Sequence, residues 1–200
     1  MIKQLLAALL FTTIYAVLRY AGFGNVSLIH VPVYLMNKSL SMAATASLFM
    51  AALGLMRSQR DAVSFWGRAC LHLVFVHVLL SLSIFSKGYY AKFFDNDKMN
   101  LIGEAVVLLG VLAVYCVWRL GSAEIKPALR RTLTVLASGL VAGHIFVMGY
   151  DGWLQFQKWH GGLPPITLLS FLMVMYSLVV FLWAKEKYVS LSSEDGLVRS

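Results

Sequence analysis

Six apolar runs decide what this chain can become. They cover residues 4–20, 39–56, 66–86, 101–119, 130–150 and 165–184. About 20 apolar residues wound as helix cross the ~30 Å of hydrocarbon in a bilayer. Inside lipid each backbone polar group must find its partner within the segment, so these runs are helices. The expected fold is therefore all-α, a six-transmembrane-helix bundle of a polytopic membrane protein. Composition agrees, with 60% hydrophobic and 13% charged residues in a chain of 200. A soluble domain of this size has no interior to hide that much apolar surface. The first run follows Lys3 and resembles a signal peptide, but it lacks a small-x-small cleavage site and continues to Arg19. It reads as a retained first span. The spans form a single domain over residues 1–188, and the polar tail, 189–200, is expected to be disordered.

Net charge is +8, yet the basic residues lie between spans. They report topology rather than nucleic-acid binding. Arg57, Arg60 and Arg68 separate spans two and three, and Arg119, Lys126, Arg130 and Arg131 separate spans four and five. Lys185 and Lys187 follow span six. On the other side Arg19, Lys38, Lys87, Lys92, Lys98 and Lys158 are diluted by Asp95, Asp97 and Asp151. The positive-inside rule puts both termini in the cytoplasm. Trp66, Tyr89, Tyr90, Trp118, Trp153 and Trp183 fall at span ends, where amphipathic rings belong. Asn100 is placed to cap span four, and Pro164 and Pro165 stand where a missing N–H costs least, at the start of span six.

The stretch LHLVFVHVLLSL, Leu71 to Leu82, carries two histidines within an apolar run. An ionisable side chain inside a membrane is a functional candidate by default; the alternative is a neutral imidazole bonded between helices. His30 and His160 fall in outer loops and read as solvated or interfacial. His77 lies ten residues before Lys87, and His144 lies seven before Asp151. At ~1.5 Å rise per residue the two stand at nearly the same depth, in the outer half. His72 is five residues before His77, on a different face and deeper, and reads as a packing histidine. Two imidazoles at one depth on two helices can ligate one metal from opposite sides. No carboxylate or thiolate is near in sequence to complete a zinc site, and Cys70 and Cys116 lie in separate runs without a CxxC. Axial ligation of haem needs only two protein ligands, because the porphyrin supplies the rest. It also needs room for a flat ring, and Ala137, Ser138, Gly139, Ala142 and Gly143 cluster beside His144. The GxxxG at Gly139 and Gly143 serves equally as a helix-packing seam.

The pieces HVPVYLMNKSL, VHVLLSLSIFSKGYYAKFF, MNLIGEAVVLLGVLA, GHIFVMGYDGW and WHGGLPPITLLSF follow one another from His30 to Phe171. In this order the pattern resembles the ferric reductase-like transmembrane family, in its small bacterial members. The Asn-Lys at the start of span two and the Gly-Gly-Leu-Pro-Pro ahead of span six are the more distinctive parts. The resemblance implies a six-helix bundle with haem b held by histidines on spans three and five, here His77 and His144. Larger relatives hold two haems with four histidines, paired thirteen or fourteen residues apart along a helix. This chain has Val63 or Ser64 and Arg130 or Arg131 at the inner positions, so one haem near the outer face is implied. Quinol from the bilayer or a flavin, FMN or FAD, then has to bring electrons from the inner side. Arg57, Arg60, Arg68, Lys126, Arg130 and Arg131 could draw flavin phosphates, or simply mark the inner face. No dinucleotide-binding glycine fingerprint is present, so a pyridine-nucleotide donor would act through a partner flavoprotein. The acceptor implied is ferric iron or a periplasmic redox partner, and assembly with further copies of the chain remains open.

Glu104 sits in the first turn of span four, where the helix dipole favours it; a proton relay or a pair with Lys38 are alternatives. Asp95, Asn96 and Asp97 form an acidic knot, read as a solvated loop rather than a metal trap. Lys87, Lys92 and Lys158 lie on the side where haem propionates would emerge. The competing functional class is a haem-free transporter or assembly subunit with structural histidines. A transporter predicts broken helices or paired charges at mid-depth, and the sequence offers little of either.

Overall fold

The computed structural model describes residues 1–24, 31–122 and 125–184. The polar tail, His30, Lys185 and Lys187 lie outside the described residues. Among those described, six helices are long and apolar enough to cross a membrane, and the chain is a multi-pass membrane protein with an all-α bundle. Helix α1 (Ile2–Ala16) runs on into a π-helical turn over Val17–Gly22. Then come α2 (Val31–Met56), α3 (Arg60–Ile84), α4 (Leu101–Leu120), α5 (Pro127–Trp153) and α6 (Ile166–Trp183). A two-residue hairpin, β1 (Phe94–Asp95) against β2 (Lys98–Met99), sits between α3 and α4. Met1, the α2–α3 turn and the α4–α5 connection share one face of the bundle, called here the terminal face.

Local chemistry sets the ends. Asn100 caps α4, its Oδ1 accepting from the Gly103 N–H at 3.0 Å. Pro127 opens α5 and Pro165 stands just ahead of α6, where no N–H is missed. Helix α2 ends in a Schellman turn. The Gln59 N–H donates to the Gly54 carbonyl at 2.8 Å and the Ser58 N–H to the Leu55 carbonyl at 3.0 Å. Ser58 holds the left-handed position of this motif, with φ of 55°.

Three expectations need correction. Helix α2 begins eight residues before residue 39, with Pro32 in its first turn. Asn37 and Lys38 are thus inside a span, not in a loop beside it. Asn37 is fully buried, and its side chain finds partners on other elements, which is how a polar residue survives at that depth. Helices α3 and α5 also start earlier than expected, because charged residues at their ends are tolerated next to water. Trp66 then falls two turns inside α3 and is buried, so it is a packing residue and not part of the interfacial belt. Trp153 is likewise buried, its indole N–H donating to Thr167 Oγ1 at 2.9 Å. Trp118 and Trp183 are exposed, as belt residues should be.

Helix α2 is the centre of the bundle. It packs on α1, α3 and α6, while α5 packs on α4 and α6. Small buried residues, Ala43, Ala44, Ser47, Ala51 and Ala52, let neighbours come close. Hydroxyls tie the helices together. Ser39 Oγ meets Thr12 Oγ1 at 3.2 Å and Thr13 Oγ1 at 2.8 Å on α1, and Thr45 Oγ1 donates to Ser170 Oγ on α6 at 3.2 Å. At the face opposite the termini, the Tyr15 hydroxyl donates to the Pro164 carbonyl at 2.7 Å, and buried Arg19 donates to the Leu163 carbonyl. The π turn and the Gly161–Pro165 segment are thereby fastened to each other. Helix α3 is the exception. It leans on α2, touches α4 lightly and makes at most passing contact with α5.

Candidate functional site

That loosely closed seam between α3 and α5 is where His77 and His144 sit. No hydrogen bond joins the two rings. His144 Nδ1 lies 2.9 Å from the Val106 carbonyl of α4, so the ring donates there and keeps Nε2 free. His77 Nδ1 is buried without a hydrogen-bond partner. A buried imidazole nitrogen with no partner is costly.

Gly110 makes room for the His144 ring. A Cβ there would stand 3.2 Å from Nδ1 and 3.3 Å from Cε1, so any larger residue would press on the imidazole. The α2 side is built from Asn37. It accepts from Ser81 Oγ at 3.1 Å, one turn beyond His77 on α3, and donates to the Tyr90 hydroxyl at 3.1 Å. Lys38 follows it, its ammonium 5.2 Å from the Tyr34 ring centre and 5.4 Å from that of Tyr90.

Below the histidines, toward the terminal face, a cavity of about 280 Å³ opens between α2, α3, α4 and α5. Its deep end is lined by Val74 and Val141, each three residues before a histidine of the pair. Its mouth carries Arg60, Arg68 and Arg130. Val63 and Ser64 line its wall, so the inner positions that lack histidine in this chain surround a space rather than a packed core.

Among the described residues no group of three or more His, Cys, Asp or Glu converges on a point. A metal held by protein donors alone is therefore not built among them. Two imidazoles suffice only for a group that brings its own equatorial donors, and haem is such a group. The donor set, two imidazoles with no third protein ligand, and the unpartnered His77 nitrogen fit it.

Compared with known proteins, the chain matches no family model and no curated sequence.

The remaining candidates are dispersed. His72 is exposed, its Nδ1 2.7 Å from the Arg68 carbonyl of its own helix. His160 is exposed in a short helical turn. Glu104 is exposed on α4, and Lys38 is surrounded by tyrosines instead of meeting it. The acidic knot is the turn of the hairpin, with Asn96 left-handed at φ of 56° and Asp97 3.7 Å from Lys87. Lys92 pairs with Asp151 at 3.5 Å and donates to the Met148 carbonyl. The GxxxG is not a tight seam. A Cβ at Gly139 would touch nothing, and one at Gly143 would make ordinary contact with Leu109. Asn37 and Gly110 were missed by sequence reasoning. Asn37 carried a signal, an amide beside an apolar run, but the run was expected to begin after it. Gly110 carried none, being one glycine in an apolar helix.

Proposed function

We propose that the protein transfers electrons across a bacterial inner membrane, using one haem b between His77 and His144. The single observation that carries this reading is the pair itself. Two half-buried imidazoles come from α3 and α5, two helices that barely touch, His144 is oriented from behind by the Val106 carbonyl, and no third His, Cys, Asp or Glu joins them among the described residues. A haem bound there would supply a one-electron ferric/ferrous couple with no open coordination position. Val106 acts behind His144: a carbonyl accepting from the second ring nitrogen fixes the tautomer and raises imidazole basicity. The buried faces of α2 and α5 keep water from the seam. Both termini face the cytoplasm, so the pair lies in the outer half and the acceptor is a ferric chelate or a periplasmic redox partner.

The donor side is the cavity below. Its apolar walls and the arginines at its mouth suit a flat ring system with a polar or anionic end, which describes a quinol headgroup or a flavin equally. The chain is then an oxidoreductase of the ferric reductase-like kind, or the membrane subunit of one. The test is a reduced-minus-oxidised spectrum of the purified protein with pyridine haemochrome quantitation. A low-spin b-type signal near one haem per chain is expected. His77→Ala and His144→Ala should each lose it, while His72→Ala should keep it. No haem signal after expression with ample haem, or equal loading of all three variants, would return the histidines to packing roles and favour the transporter or assembly-subunit reading.

A further inference from the structure

Lys38 is a cation inside a membrane helix with no carboxylate beside it among the described residues. It stands in the second turn of α2, held between the faces of Tyr34 and Tyr90, which lie 5.2 and 5.4 Å from its ammonium. Tyr20 packs edge-on against Tyr34 at 5.7 Å and completes the aromatic wall. Charged residues at such a depth pair with one another or mark a ligand. The acidic residues nearest in the fold are committed elsewhere or exposed: Asp97 with Lys87, Asp151 with Lys92, Glu104 at the surface. The same pairings remove Lys87 and Lys92 as free cations for a bound group. Asn37, the residue before Lys38, is pinned by Tyr90 and by Ser81, one turn beyond His77 on α3, so this turn of α2 is held against the end of α3 that carries His77.

We propose that Lys38 is the counter-charge for a carboxylate of the group held by His77 and His144, which for haem b is a propionate. The inference rests on the haem reading above. Tyr34 and Tyr90 position the ammonium without neutralising it, since an aromatic face attracts a cation but carries no net charge. The fixed positive charge raises the midpoint potential by favouring the reduced, less positive iron. Lys38 acts through the carboxylate and the field, not as an iron ligand, so it is a positioning residue.

The experiment compares wild type, Lys38→Gln and Lys38→Arg, each loaded with protohaem or with its dimethyl ester, in which the propionates are blocked. Haem content, haem affinity and the midpoint potential are read. With protohaem, Lys38→Gln should keep the low-spin spectrum and lower the reduction equilibrium constant about tenfold, 59 mV for a one-electron couple. Lys38→Arg should stay near wild type. With protohaem, Lys38→Gln should also bind more weakly than wild type, while Lys38→Arg should not; with the ester, which has no carboxylate for Lys38 to meet, wild type and Lys38→Gln should bind equally. An unchanged affinity of Lys38→Gln for protohaem, or the same loss of affinity with haem and ester, would overturn the proposal and leave the haem site standing. Absence of haem from the wild type would overturn the haem reading and this inference with it.

Discussion

Gly110 offers the sharpest test of how the His144 ring is held. Replacing glycine by alanine in a helix interior ordinarily stabilises by about 0.8–1.0 kcal/mol. At Gly110 the new Cβ would meet the imidazole at 3.2 and 3.3 Å, so the ring must move by a few tenths of an ångström. The ring is not free to do so, because its Nδ1 is held 2.9 Å from the Val106 carbonyl on the preceding turn of the same helix. Weakening that bond puts about 0.5–1.5 kcal/mol at stake. The two effects are of opposite sign and similar size, so Gly110→Ala should change stability by no more than about 0.5 kcal/mol. Gly110→Val adds two methyls against the ring and should cost about 2 kcal/mol, the usual range for overpacking. Gly139→Ala is the control: its Cβ meets nothing within 4 Å, so the full gain of about 0.8–1.0 kcal/mol should appear. Equilibrium unfolding in mixed detergent micelles reads the stabilities. The low-spin electron paramagnetic resonance of haem-loaded protein reads the ring, and both Gly110 variants should shift it while Gly139→Ala should not. If Gly110→Ala gains as much as Gly139→Ala and Gly110→Val is neutral, the ring is not wedged against α4 and the argument fails.

Three further substitutions probe the frame around the site. Asn37→Leu keeps the volume but strips partners from Tyr90 and Ser81; a loss of about 1–3 kcal/mol is expected, measured by the same unfolding assay. Gly149→Ala would drive a Cβ into Thr167 Oγ1 and to 2.7 Å from the Trp153 indole nitrogen, so it should break their bond and destabilise the α5–α6 seam by about 2–3 kcal/mol, visible as quenching or exposure of Trp153 fluorescence. Ser58→Gly should do the reverse, because a non-glycine residue at a left-handed position costs about 1–2 kcal/mol; unchanged thermal stability would show that the Schellman turn is not strained.

The existence and number of the helices were legible because apolar length in a bilayer leaves one structural option. Where the helices begin was less so. A polar pair such as Asn37–Lys38 reads as a span boundary, and only tertiary partners reveal that it lies inside: Tyr90 comes from beyond α3 and Ser81 from its end. Trp66 misled for the same reason, since its amphipathic ring suits an interface and equally suits the interior of a bundle. The matched depth of His77 and His144 came from counting residues to the span ends. What holds the His144 ring could not come that way. The Val106 carbonyl belongs to no side-chain pattern, and a backbone acceptor leaves no trace in a sequence. The pairings of Lys87 with Asp97 and of Lys92 with Asp151 were equally hidden, because the first depends on how the hairpin turn lies against the segment after α3 and the second on how the turn before the hairpin lies against the end of α5.

The way the histidines are held bears on what they are for. Two imidazoles that served only to glue α3 to α5 would bond to each other, drawing the helices together. Here the His144 ring turns to the Val106 carbonyl on α4, His77 Nδ1 has no partner, and α3 makes at most passing contact with α5. Small residues and hydroxyls close the α1–α2 and α2–α6 seams tightly, and Ala137, Ser138 and Ala142 give α5 the same capacity to approach a neighbour. A sparse contact between α3 and α5 therefore sits beside residues able to make a close one. Sparse packing forfeits dispersion contacts on both walls, and an unpartnered imidazole nitrogen adds its own desolvation cost. On the proposed reading, a flat, largely apolar group that accepts two nitrogen ligands would offset both costs together. The prediction is asymmetric: haem should raise stability far more than a zinc ion does, because zinc could satisfy the nitrogens but could not fill the gap.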